Sequence, residues 1–153
     1  MPTTALVDGS HSIAINASDN DGNAGIQKTV AFEVDTVAPV LNVSSPVDNS
    51  ITNVTTCIVA GTTNDVASSP VSVTINGKTT TVGADGAFSE AVTLVEGVNT
   101  ITIVATDAAG KTTTVTRTVE LDTHAPQFVS VSISPNPVDA GNTYVISVSV
   151  EDD

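Results

Sequence analysis

The 153-residue chain has one cysteine, Cys57, no tryptophan, one tyrosine and three phenylalanines. A single cysteine leaves no intramolecular disulfide, so the fold must hold by packing or by bound ions. Cationic side chains are as scarce: four Lys and Arg stand against seventeen Asp and Glu, for a formal charge of −13. A surface of that sign cannot displace counterions from phosphates, which excludes nucleic acid as a partner. It is also repelled by an anionic membrane face. No run approaches the roughly 20 apolar residues of a membrane span. The start, Met1-Pro2-Thr3-Thr4-Ala5-Leu6, lacks the charged and apolar regions of a signal peptide. An exported parent would therefore carry this chain as an internal piece, as a mature form, or by another route.

What fills the chain is Thr, Val, Ser, Ala and Asn, with only 14% charged residues. A disordered acidic tail would be poorer in apolar residues, and β-branched Thr and Val suit a pleated sheet better than a helix. The composition is that of an acidic, secreted-looking, all-β protein.

An internal repeat organises it. Glu33-Val34-Asp35-Thr36-Val37-Ala38-Pro39 recurs as Glu120-Leu121-Asp122-Thr123-His124-Ala125-Pro126, with Asp35 and Asp122 offset by 87 residues. Upstream, the stretch from Asp8-Gly9 to Ala17-Ser18-Asp19 aligns with that from Glu96-Gly97 to Ala105-Thr106-Asp107. A weaker match joins Ser44-Ser45-Pro46-Val47-Asp48 to Ile133-Ser134-Pro135-Asn136-Pro137. Residues 39–124 make one whole repeat, 1–38 match the back end of a preceding one, and 125–153 match the front end of a following one.

Period-two alternation marks strands. In the whole repeat it falls on Leu41 and Val43; on Cys57, Val59 and Gly61; on Val71, Val73 and Ile75. It resumes on Phe88, Val92 and Leu94; on Ile101, Ile103 and Ala105; and on Val115, Val119 and Leu121. Asn76-Gly77 predicts a type I′ hairpin, and Asp85-Gly86 a further turn. About seven short strands with regular turns is the pattern of an immunoglobulin-like β-sandwich. No window carries a sustained helical period. The expectation is one complete Ig-like domain flanked by two partial ones, with residues 1–38 supplying roughly strands E to G and 125–153 supplying A and B.

Asp35-Thr36-x-Ala38-Pro39, Val73-x-Ile75-Asn76-Gly77, Asp85-Gly86-x-Phe88-Ser89, Glu96-Gly97-x-Asn99-Thr100-Ile101 and Ala105-Thr106-Asp107-x-Ala109-Gly110 resemble bacterial Ig-like (Big-type) domains. These are strung in tandem in surface adhesins, biofilm proteins and phage tail proteins. The resemblance covers the whole of 39–124; Ser132-Ile133-Ser134-Pro135-Asn136-Pro137 fits a different subfamily. It implies a non-enzymatic spacer or adhesive module on a bacterial surface or phage particle, often stiffened by calcium.

The acidic residues are the candidate ligands. Topology places Asp35, in the incoming linker, beside the loops carrying Asp65 and Asp107, and brings Asp8 to the same joint. Four converging carboxylates would repel unless a hard cation joined them, and calcium accepts 6–8 oxygens in flexible geometry. A lower joint of Glu96, Asp122 and Asp152 repeats the idea more weakly. Asp19-Asn20-Asp21-Gly22-Asn23 resembles the start of an EF-hand loop, with Asp19, Asp21 and Asn23 as ligands, but Val30 stands where its distal Glu belongs. The plainer alternative is that all these acids are solvated loop ends that keep the chain soluble.

Catalysis finds little support. His11 and His124 lie far from Cys57 in sequence, which itself falls on an inward position and reads as a buried, inert thiol. Zinc lacks a His or Cys cluster, and paired glycosidase carboxylates need a cleft that so small a sandwich scarcely offers. Lys28, Lys78 and Lys111 read as exposed or turn-adjacent, away from any crosslink. Sequons at Asn16, Asn42 and Asn53 matter only in a eukaryotic secretory host.

Three functions remain open. The first is a calcium-stiffened spacer whose partners are neighbouring Ig-like repeats. The second is a filament subunit whose half-domains complement copies of itself by strand exchange. The third, a glycan-binding module using the loops near Asp65 and Asp107, is least favoured, because sugar sites usually offer an aromatic platform.

Overall fold

A computed structural model describes residues 5–65, 69–134, 136, 137 and 139–152. Met1–Thr4 of the N-terminal segment and Pro135 of the Ser132–Pro137 stretch lie outside them. Among the described residues there are twelve strands and no helix. The chain is an all-β protein built on an Ig-like β-sandwich.

The sandwich spans eight strands: β3 (Val40–Ser45), β4 (Ser50–Thr52), β5 (Thr56–Asn64), β6 (Ser72–Ile75), β7 (Lys78–Thr80), β8 (Ala87–Thr93), β9 (Gly97–Thr106) and β10 (Thr112–Leu121). One layer is β3-β5-β8 and the other is β4-β10-β9-β6-β7. Inward positions alternate as the sequence predicts, so Val59, Val73, Ile75, Ile101, Ile103 and Val119 are each 2% exposed or less. Asn76 and Gly77 take φ of 48° and 79°, the two left-handed residues that a type I′ turn requires. The Asn76 side chain then accepts the Thr102 N–H at 2.9 Å, tying the hairpin to β9.

Three features depart from expectation. After the turn at Pro46, the first strand continues as β4 and crosses to the other sheet, pairing parallel with β10. Three residues with Ile51 71% exposed carry no alternation to read. Arg117 occupies an inward position of β10, half-buried, and donates from Nη2 to the Val43 carbonyl at 3.1 Å. Its aliphatic stem covers apolar surface while its head reaches a backbone acceptor. Cys57 is half-buried and packs against the core, and that partial burial pushes its thiol pKa up.

Gly61 shows how tightly neighbouring strands of one layer pack. A Cβ there would run into the Asn42 carbonyl oxygen of β3 and lie 2.7 Å from Cζ of Phe88 on β8, so β5 must carry glycine for the backbone and the ring to come this close.

Flanking the sandwich are two hairpins. β1 (Gly9–Ile15) pairs with β2 (Lys28–Val34), and β11 (Gln127–Ser134) pairs with β12 (Val145–Glu151). The N-terminal segment thus forms two strands among the described residues, where three are expected. Each hairpin has one polar face and one apolar face, and the apolar faces are open: Ile13 and Ile15 are 54% exposed and Phe128 is 76%.

Candidate functional site

Asp35, Asp65 and Asp107 each occupy the first position after a strand, following β2, β5 and β9. Strand ends are where an array of paired backbones releases its side chains toward a neighbouring unit, and these three converge. One carboxylate oxygen from each lies within 4.8 Å of the others. Asp107 is the most enclosed, at 6% exposure. It opens the tight turn between β9 and β10: its Oδ1 accepts the Lys111 N–H at 2.8 Å. Asp35 Oδ1 accepts the Val37 N–H at 3.0 Å in the same manner. The second oxygens of Asp35 and Asp107 are buried without a hydrogen-bond partner among the described residues. A buried acceptor left unsatisfied costs about 1–3 kcal/mol, and more when charged. An oxygen-rich pocket of this sign suits a hard divalent cation.

Asp8 stands outside this trio. Its two oxygens accept the Thr36 N–H and hydroxyl, each at 3.0 Å, which clasps the linker to the N-terminal hairpin. The lower joint repeats the clasp, with Glu96 accepting the Thr123 N–H at 3.1 Å and its hydroxyl at 2.8 Å. These bonds, the Thr123 hydroxyl foremost, hold the Glu96 carboxyl below the ordinary glutamate value. Thr36 and Thr123 hold these clasps, and a pattern of carboxylates alone does not mark them. Their signal was the repeated Asp-Thr pair itself.

At the lower joint the structure groups Glu96 and Asp122 with His124 rather than with Asp152. His124 Nδ1 lies 3.2 Å from Glu96 and 3.9 Å from Asp122. Asp152 instead lines a small cavity of about 250 Å³ with His124, Gln127 and Phe128. Histidine here stands where Val37 does in the upper joint, so repeat alignment alone offers no hint of it.

The Asp19 loop is a hairpin turn. Asp19 accepts the Asp21 and Asn23 N–H groups at 3.0 and 2.8 Å, and the Asn23 side-chain amide at 2.8 Å. The last of these, first among the causes, holds its pKa below the usual carboxylate value. This is the β9–β10 turn over again, with Asp19 in the place of Asp107. The difference is that Asn23 caps the second oxygen, while Lys111 leaves that of Asp107 open.

A larger cavity of about 530 Å³ lies beside the trio, lined by Asn64, Asp65, Val71, Gly83 and Asp85 among others. No aromatic ring is among its described lining residues, which offer no platform on which a sugar could stack.

Residues 39–123 match the family model for glucodextranase, domain B. The chain belongs to that family. A stretch of 118 residues is 31% identical to bacillopeptidase F of Bacillus subtilis (strain 168), covering 77% of this chain; the chain spans 8% of that relative's length. Among solved structures, the fibronectin(III)-like modules of Clostridium thermocellum CbhA align over 78% of this chain and 66% of theirs, at 19% identity and a TM-score of 0.46. A tetra-tandem repeat from the extending region of a large adhesion protein aligns over 94% of this chain and 46% of its own, at 24% identity and a TM-score of 0.47. Residues 39–123 are thus an Ig-like β-sandwich module of this family.

Proposed function

We propose that the chain is a spacer segment of an extracellular bacterial protein, whether of the cell surface or of a phage particle, in which Ig-like repeats of the surface-adhesin kind follow in tandem. Calcium held by Asp35, Asp65 and Asp107 limits motion at the upper joint. The observation that carries this reading is Asp107, enclosed at 6% exposure with a carboxylate oxygen that no group among the described residues satisfies. Asp35 comes from the linker, while Asp65 and Asp107 come from the sandwich, so one ion would bind the two units together. Calcium would supply charge neutralisation and cross-linking there; the hinge is already braced by the Asp8–Thr36 clasp.

Thermal unfolding in millimolar calcium and in EDTA tests it. A site filled at 100 times its dissociation constant stabilises by about 2.7 kcal/mol. The melting temperature should therefore rise in calcium, and Asp107→Asn should abolish the rise. An unchanged melting temperature in the parent chain rejects the calcium joint.

A second reading is favoured by the family match: an accessory module attached to a catalytic unit, as the name of the glucodextranase domain indicates for its own protein. The full reading frame distinguishes the two. Further Ig-like repeats on both sides support the spacer, and a catalytic domain in the same polypeptide supports the accessory role.

A further inference from the structure

The two joints share one plan and part at one side chain. Asp8 clasps Thr36 above as Glu96 clasps Thr123 below. Asp35 and Asp122 each accept the N–H of the residue two further on. That residue is Val37 in the upper joint and His124 in the lower. The exchange puts an imidazole between two carboxylates. His124 Nδ1 lies 3.2 Å from Oε1 of Glu96 and 3.9 Å from Oδ1 of Asp122, and one ligand atom from each of the three side chains lies within 4.8 Å of the others.

We propose that Glu96, Asp122 and His124 bind a borderline divalent transition ion, zinc foremost, which pins the exit linker to the sandwich. The donor set separates this site from the upper trio. Imidazole nitrogen is a ligand for zinc and its neighbours in the first transition row, whereas calcium takes oxygen. Two carboxylates with a neutral imidazole balance the charge of one divalent ion. Zinc bonds to such nitrogen and oxygen atoms set tetrahedral ligands about 3.3–3.6 Å apart. The two separations from Nδ1, 3.2 and 3.9 Å, bracket that edge.

Both carboxylates are held in position by the chain itself. The Thr123 N–H and hydroxyl fix Glu96, and the His124 N–H fixes Asp122 at 3.0 Å. Each oxygen so engaged keeps a second lone pair for an ion, and hydrogen bonds of this outer kind orient metal ligands. The three side chains are between 35% and 55% exposed, so an ion reaches them from solvent without opening the fold. Beside them the cavity of about 250 Å³, walled in part by His124, Glu151 and Asp152, has room for the water that completes the coordination. Glu96 precedes β9 of the sandwich, while Asp122 and His124 follow β10 in the linker. One ion therefore joins the two, whether or not calcium fills the upper joint.

Calorimetric titration of the full chain with zinc chloride tests the proposal, in millimolar calcium and at slightly alkaline pH, where imidazole is neutral. The parent should bind one zinc at a site that His124→Val, which restores the residue of the upper joint, weakens at least about tenfold. His11→Ala, at the other histidine, should bind zinc as the parent does. The His124 ring-proton signals in nuclear magnetic resonance should shift with zinc and stay in place with calcium. A parent that binds zinc no more tightly than His124→Val overturns the proposal and leaves His124 as an ion-pair partner of the two acids. An equal loss in His11→Ala, or ring signals that follow calcium instead of zinc, overturns it as well. His124→Val keeps Asp35, Asp65 and Asp107, so its calcium-dependent melting reports on the upper joint separately.

Discussion

β1–β2 and β9–β10 are the same hairpin in two settings. Both pair their strands in one register, both close with an Asp-led turn, and both send an acidic residue back to a Thr in the following linker. Yet Ile101 and Ile103 are 1% and 0% exposed, while Ile13 and Ile15 are 54% exposed. Strand pairing and turn chemistry are local and repeat wherever their residues repeat. Burial depends on an opposing layer, which β9–β10 finds in β3, β5 and β8 and which β1–β2 does not meet among the described residues.

Substituting equivalent residues should separate these two contributions. Ile103→Ala leaves a cavity in a closed core and should cost about 2–5 kcal/mol in denaturant unfolding. Ile15→Ala, in the open hairpin, should stay within about 0.5 kcal/mol in monomeric chain. Equal costs would mean that the hairpin is covered after all.

Next in size is the crossing of Phe88 over Gly61. Gly61→Val should destabilise the sandwich by about 1–3 kcal/mol, read as a lowered denaturant midpoint. The matching Val148→Gly, on a face with no ring above it, should leave the middle core's midpoint unchanged.

Smaller again is the difference between the two Asp-led turns. Lys111→Asn would place a second amide where Asn23 sits, able to cap Asp107 as Asp19 is capped. Calcium binding measured by calorimetry should then weaken. The reverse change, Asn23→Lys, should leave binding at the upper joint as it was.

The least effect is expected at the Glu96–Thr123 clasp. The folded Glu96 pKa lies below its ordinary 4.5, so the clasp contributes fully above that pH. Its contribution is lost as pH falls through the lowered folded value. Glu96→Gln should lower stability slightly near neutrality, leave it little changed in acid, and so flatten the acid-side slope of a plot of stability against pH.

Much of this architecture was legible from residues. The alternation on Val59, Val73, Ile101 and Ile103 located the core because an inward position in a strand recurs every second residue. Asn76-Gly77 specified its turn because few other pairs tolerate two left-handed residues. The convergence of Asp35, Asp65 and Asp107 was readable because an Ig-like topology places those strand ends together. Arg117 was not readable as an inward residue, since its charge masks its position in the alternation. Nor was the short β4, whose three residues carry too little pattern, nor the His124 contact with Glu96, which depends on how one linker bends.

The sequence by itself determined the class of fold, the repeat and the turn types, because alternation and turn chemistry rest on residues close together in the chain and the repeat on recurring residue identities. Only the tertiary structure decided which apolar faces are covered, that Asp8 clasps Thr36 instead of joining the trio, and that Asp107 keeps one oxygen unsatisfied. Those outcomes depend on which groups from distant strands come within a few ångströms of one another, and no local pattern encodes that distance.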